Sequence, residues 1–127
     1  MSDASFREYS QGISDALNML LATGEAKVVN LEIDQRSPLR GFIKGLLLFE
    51  DDSELHIREF VDVTIDEPRI MYAYHYQSKD NSLIFRYDNA LHRPALSQAE
   101  HKHTPDQVGA SNAPLIVQVV QEIRAIL

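Results

Sequence analysis

Two alternating runs either side of Asp80-Asn81 constrain this chain more than any other feature. Residues 69–77 and 82–88 carry apolar or aromatic side chains at every second position, and Asp-Asn between them favours a turn. Such runs close into a β-hairpin. A two- or four-residue loop centred on Asp80-Asn81 pairs Tyr76 with Phe85, His75 with Arg86, Tyr74 with Tyr87 and Ala73 with Asp88. A three- or five-residue loop shifts that register and moves partners between faces. Side chains alternate across a strand, so Ile70, Tyr72, Tyr74, Tyr76, Leu83, Phe85 and Tyr87 share an aromatic core face. His75, Ile84, Arg86 and Asp88 share the other face.

The rest of the chain supplies what such a hairpin must pack against. Residues 10–23 read as a helix, with Ile13, Leu17, Leu20 and Leu21 at helical spacing and Gly24 as its stop. Residues 26–34 alternate as a strand through Val29, Leu31 and Ile33, and residues 41–49 form an apolar central strand. Residues 54–65 alternate through Leu55, Ile57, Val61, Val63 and Ile65, and Glu59 falls on that apolar face. Residues 89–112 read as a long loop, and Ile116, Val119, Val120, Ile123 and Leu127 as a helical stripe. The expected fold is α+β: one domain, residues 1–127, with a single antiparallel sheet of about five strands in the order α-β-β-β-β-β-α. An apolar outer sheet edge, or the stripe from Ile116 to Leu127, offers a surface for a homodimer.

Composition narrows the function. The chain has no cysteine, which excludes disulfides and thiolate metal sites. Its N-terminus lacks the apolar stretch of a signal peptide, and no run approaches a membrane span, so a cytoplasmic protein without membrane contact is expected. A net charge of −7 argues against broad phosphate-backbone binding. Within 71–103, however, Lys79, Arg86, Arg93 and Lys102 outnumber Asp80, Asp88 and Glu100. Four of the five histidines fall in the same stretch. A mildly basic, His-rich patch suits a nucleic-acid strand, a phosphate or an acidic partner.

The chemistry concentrates at the end of the hairpin. If residues 89–100 fold back over the sheet, His101 and His103 join His75, Arg86 and Asp88 as the candidate catalytic set. One histidine could deprotonate a ribose 2′-hydroxyl while another protonates the leaving oxygen. Arg86 or Lys102 would stabilise the phosphate, and Asp88 would orient a partner. Tyr87, Asn89, His92, Arg93 and Lys102 are candidates for holding substrate, and Glu59 for support. No metal or other cofactor is required. Plainer readings stand beside these: His75 as a neutral structural histidine, Arg86–Asp88 as a strand-end ion pair, and Glu59 as a paired structural carboxylate. A metal reading would use His101 and His103 with Asp88 or Glu59, but no helical H-E-x-x-H pattern supports it. No Walker A, G-x-G-x-x-G or G-x-S-x-G sequence occurs.

Tyr74-His75-Tyr76, then Phe85-Arg86-Tyr87-Asp88-Asn89-Ala90, His92 and His101-Lys102-His103 before a C-terminal helix, resembles the TumE-type toxin family. The resemblance covers residues 41–127, roughly. The family carries a Phe-Pro step ahead of its His-Lys-His, where Gln98-Ala99-Glu100 stands here. What the resemblance implies is the toxin of a type II toxin–antitoxin system, paired with a helix-turn-helix antitoxin. The ribonuclease reading rests on the residues. A non-enzymatic module gripping a partner protein or anionic ligand, and a degenerate toxin fold kept for regulation, are the alternatives.

Overall fold

The computed structural model describes residues 5–22, 24, 26–89 and 100–127. Helix α1 (Phe6–Leu20) is followed by seven strands: β1 (Ala26–Gln35), β2 (Arg40–Phe49), β3 (Glu54–Asp62), β4 (Arg69–Gln77), β5 (Leu83–Asp88), β6 (His101–His103) and β7 (Val108–Ala110). Helix α2 (Ile116–Ile126) closes the chain. The strands are antiparallel neighbours in chain order within one sheet. The α+β class with terminal helices holds, but the sheet has seven strands rather than five. Strands β6 and β7 lie inside the stretch expected to be loop. Each is three residues long, too short to show alternation, and His-Lys-His has no apolar face to reveal it.

Both helices pack on one face of the sheet. Leu17 and Leu21 of the α1 end, with Ile116, Val119, Val120 and Ile123 of α2, bury against Leu47, Leu55, Ile57, Tyr72, Tyr74, Tyr76 and Phe85. The C-terminal stripe is therefore consumed by the chain's own core, apart from exposed Leu127, and does not offer the apolar face expected for a second copy. Helix α1 begins four residues earlier than expected, where the Ser5 side chain accepts a hydrogen bond from Glu8 N at 3.1 Å.

Three β-bulges decide which side chains reach the core. Each inserts one residue, Val29 in β1, Ile70 in β4 and Ile84 in β5, against no counterpart on the neighbouring strand. Val29 and Ile70 are turned out to solvent, although alternation places Ile70 among the core tyrosines. Arg69 takes the core side instead. Ile84, expected beside His75, packs against the core. The hairpin loop is five residues long, Ser78–Ser82, closed by Ser78 N donating to Ser82 O at 2.9 Å. Asn81 sits in the left-handed region at φ 69°, which Asn tolerates. By itself this loop would shift the register. The Ile84 bulge restores it, so Tyr76, His75, Tyr74 and Ala73 still face Phe85, Arg86, Tyr87 and Asp88.

The first turn of α1 is seated by a close approach. Phe6 is fully buried, and its N–H donates to Pro38 O at 2.9 Å. Its ring lies directly over Gly41 in β2, where a Cβ would meet the ring and come within 2.7 Å of the Asp34 carbonyl oxygen. Gly41→Ala is expected to unseat Phe6 and destabilise the fold by about 1–3 kcal/mol, the usual range for overpacking. Thermal melting followed by circular dichroism checks this, and an unchanged midpoint would refute the seating role.

Candidate functional site

The face away from the helices carries the polar residues, and the strand pairing lines them up in rows. His56, His75, Arg86 and His103 are successive cross-strand partners on β3, β4, β5 and β6. The next row holds Lys44, Arg58, Ala73, Asp88 and His101 on β2 to β6. Residues opposite one another in adjacent strands project to the same side. The chain after residue 100 thus folds back onto β5 and brings His101 and His103 beside Asp88 and Arg86.

The contacts form a chain. Arg86 Nε donates to Asp88 Oδ2 at 2.9 Å, and Asp88 Oδ2 lies 3.2 Å from His103 Nε2. His101 Nδ1 is 3.7 Å from Asp88 Oδ1, and its ring is only 2% exposed. On the other side, Arg86 Nη1 is 3.4 Å from His75 Nδ1, and His75 Nε2 is 3.1 Å from Gln77 Oε1. A guanidinium only donates. Nδ1 of His75 therefore presents its lone pair to Arg86, and Nε2 carries the proton that Gln77 accepts.

Electrostatics distinguish these groups. Burial, and then the Arg86 charge, hold His75 below the ordinary histidine value, with a smaller push from His56. A neutral imidazole at neutral pH results. Burial pushes Asp88 up, but hydrogen bonds and charge from Arg86 and His103 outweigh it, so the carboxyl stays below the usual aspartate value. Asp88 is ionised although it is buried.

Other candidates lie elsewhere. Glu59 is on the core face, where Tyr9 and Tyr74 each donate a hydroxyl to it at 2.5 Å. Burial raises its pKa, against those hydrogen bonds and Arg69. Tyr87 and Lys102 also point to the core face, donating to the two carboxylate oxygens of Glu122 on α2 at 2.5 and 2.8 Å. Asn89 ties β5 to β4: its side chain accepts from Tyr72 N at 2.9 Å and donates to Ile70 O at 3.1 Å. His92 and Arg93 lie outside the described residues. Among the described residues, no group of three or more His, Asp or Glu is arranged to hold a metal ion.

A family model described as toxin TumE matches residues 17–127. The chain belongs to the TumE toxin family. Comparison with curated proteins gave no match, and comparison with solved structures gave none. The TumE match reaches past the residues that carry the resemblance, to β1 and the last turn of α1. Both strands of the hairpin and the His101-Lys102-His103 strand fall within it. No described helix of this TumE-family chain is long and apolar enough to cross a membrane.

Two residues of the open face escape a search for sequence clusters. His56 stacks edge-on to His75 with ring centroids 6.1 Å apart, and Arg58 follows it on β3. The alternation of 54–65 already sets both opposite Leu55 and Ile57, and only their distance from 75–103 in sequence hides them.

The lowered His75 value fixes a pH dependence. Between the ordinary histidine value of 6.5 and its own, His75 binds fewer protons in the folded chain than in the unfolded one. Stability therefore falls as the pH drops below about 6.5. Asp88, also lowered, adds a loss below the usual aspartate range. His75→Gln is expected to flatten the first decline and spare the second. Parallel melting curves from pH 7.5 to 4 for both proteins would contradict this.

Proposed function

We propose that this TumE-family chain is the toxin of a toxin–antitoxin pair and cleaves RNA at the row His75, Arg86 and His103. The observation that carries the reading is the pairing of β4, β5 and β6. It sets two imidazoles on either side of one guanidinium, with an ionised carboxylate holding both Arg86 and His103. Adjacent strands lie about 4.8 Å apart, so the two histidines straddle Arg86 at roughly 10 Å. That span fits a phosphodiester with a base on one side and an acid on the other.

His75, neutral and with a lone pair on Nδ1, takes the proton of the ribose 2′-hydroxyl. The 2′-oxygen attacks phosphorus, the bond to the 5′-oxygen breaks, and a 2′,3′-cyclic phosphate forms. His103 gives its proton to the departing 5′-oxygen, and Asp88, 3.2 Å from its Nε2, orients the ring for that transfer. Arg86 turns from His75 to the phosphate oxygens, where charge accumulates in the transition state. His101 is a positioning residue, since it is enclosed behind Asp88. No step calls for a metal. A helix-turn-helix antitoxin is the expected partner, and the cytoplasm, where RNA is exposed, the expected site of action.

Purified protein incubated with total RNA tests this. Cleavage leaving 2′,3′-cyclic phosphate ends, unaffected by EDTA, is expected. His103→Ala should reduce it by roughly 100- to 10,000-fold, the usual range for losing one acid–base group. Equal cleavage by both proteins would sink the assignment. A wild-type chain inert on RNA that still captures a helix-turn-helix protein would establish the binding-module alternative, in which Arg86 only grips an anionic partner.

A further inference from the structure

The same face carries a third row that the cleavage chemistry does not use. Phe42, Phe60 and Met71 are cross-strand partners on β2, β3 and β4. Phe42 and Phe60 stack with centroids 4.5 Å apart and planes 11° from parallel. Phe42 is 38% exposed and Met71 52%, although each sits within a long strand of the sheet. A groove of about 360 Å³ runs from this row, past Lys44 and Arg58, to Arg86 and Asp88. Its far wall, on β1, holds Glu32 and Asp34.

Over Phe42 lies a flat cation. The Arg36 guanidinium carbon is 5.3 Å from the ring centroid, and its Nη2 pairs with Asp34 at 2.9 Å. Both ends of that ion pair are more than half exposed, so the pair contributes little and opens readily. A planar group can take its place over the ring.

We propose that Phe42 and Phe60 form a nucleobase-stacking subsite for single-stranded RNA, one or more nucleotides away from the phosphodiester that reacts. This rests on the RNA-cleavage reading of the histidine row. Three features favour RNA over a protein segment. First, the rows are ordered along the strands: aromatic, then cationic (Lys44, Arg58), then histidine. Two rows span roughly 13 Å at about 3.3 Å per residue. A strand whose base stacks on Phe42 thus lays its backbone over Lys44 and Arg58 before reaching Arg86. Second, the walls differ in sign. Phosphates belong on the cationic side, whereas the β1 carboxylates accept hydrogen bonds from the N–H groups of a base edge. Third, aromatic faces with neighbouring arginine are the usual platform for unpaired bases. Arg36, displaced from Phe42, closes over the outer face of the base.

The chain has no tryptophan, so Phe42→Trp installs a single reporter. Titration uses a short RNA bearing 2′-O-methyl groups, which cannot be cleaved. Saturable quenching of Trp fluorescence is expected, and an oligonucleotide with abasic positions should bind without it. Phe42→Ala should weaken binding, read by anisotropy, by roughly 5- to 100-fold, as loss of one stacked base does. Melting checks that the variant folds; should it not, the tryptophan quench and the weakening by Arg58→Gln decide alone. Undiminished binding to Phe42→Ala with no quench would overturn the subsite even if the wild type cleaves RNA. Quenching by a protein that cleaves nothing would uphold the subsite and refute the cleavage reading. Loss of antitoxin capture by Phe42→Ala, with RNA binding unchanged, would make this face a protein interface and overturn the proposal.

Discussion

The histidine row depends on one strand pairing, His75 against Arg86. If β5 slipped by a single residue, Arg86 and Asp88 would turn into the space between sheet and helices, and Phe85 and Tyr87 would turn out. Unpaired charges in that space cost several kcal/mol each, and the aromatic packing of Tyr74, Tyr76, Phe85 and Tyr87 would be lost. The register is thus fixed by the core, and the site inherits it. The turn contributes less than its sequence suggests. Its five residues favour the wrong register, and the Ile84 bulge absorbs the mismatch.

The core face holds charges of its own, and each has partners. Glu59 accepts from Tyr9 and Tyr74, and Tyr74 in turn receives Arg69 Nη1 at 3.0 Å. Arg69 grips Glu67 with Nε and Nη2, each at 2.9 Å. This network joins α1 to β3 and β4 and extends to the residues leading into α2 through Arg69 and the Pro114 carbonyl. Lys102 and Tyr87 with Glu122 do the same between β5, β6 and α2. The motif residues thus divide by parity: Tyr87 and Lys102 anchor the helix, while Arg86, Asp88, His101 and His103 lie on the side of the same two strands away from the helices.

The parts legible in the sequence were those set by strict alternation. The faces of β3 follow from it, and so does the shared direction of His101 and His103. The pairing of β4 with β5 was expected from a two- or four-residue loop and holds only because the Ile84 bulge offsets the fifth loop residue. The bulges were not legible, because Val29, Ile70 and Ile84 are apolar and β-prone, and nothing marks them as insertions. Hence Arg69, an obvious surface residue by type, lies in the core while Ile70 does not. Strands β6 and β7 were hidden by their brevity. Phe42 and Phe60 were overlooked for another reason. An apolar run reads as a buried strand, and only the finished sheet shows that helices cover one side of it.

The arrangement around Arg86 also gives the two histidines beside it unlike surroundings. A lone guanidinium between two imidazoles would disfavour a proton on either. Asp88 breaks that symmetry. It lies one row along on β5, opposite His101 and within 3.2 Å of the His103 ring, whereas His75 meets Arg86 and the His56 ring. Its side of the site therefore carries a balancing negative charge and the His75 side does not. Asp88 is buried, where water screens charge little. The acidic balance of the chain as a whole matters less here than the local order of charges along three strands, which gives one histidine a carboxylate and leaves the other facing a cation.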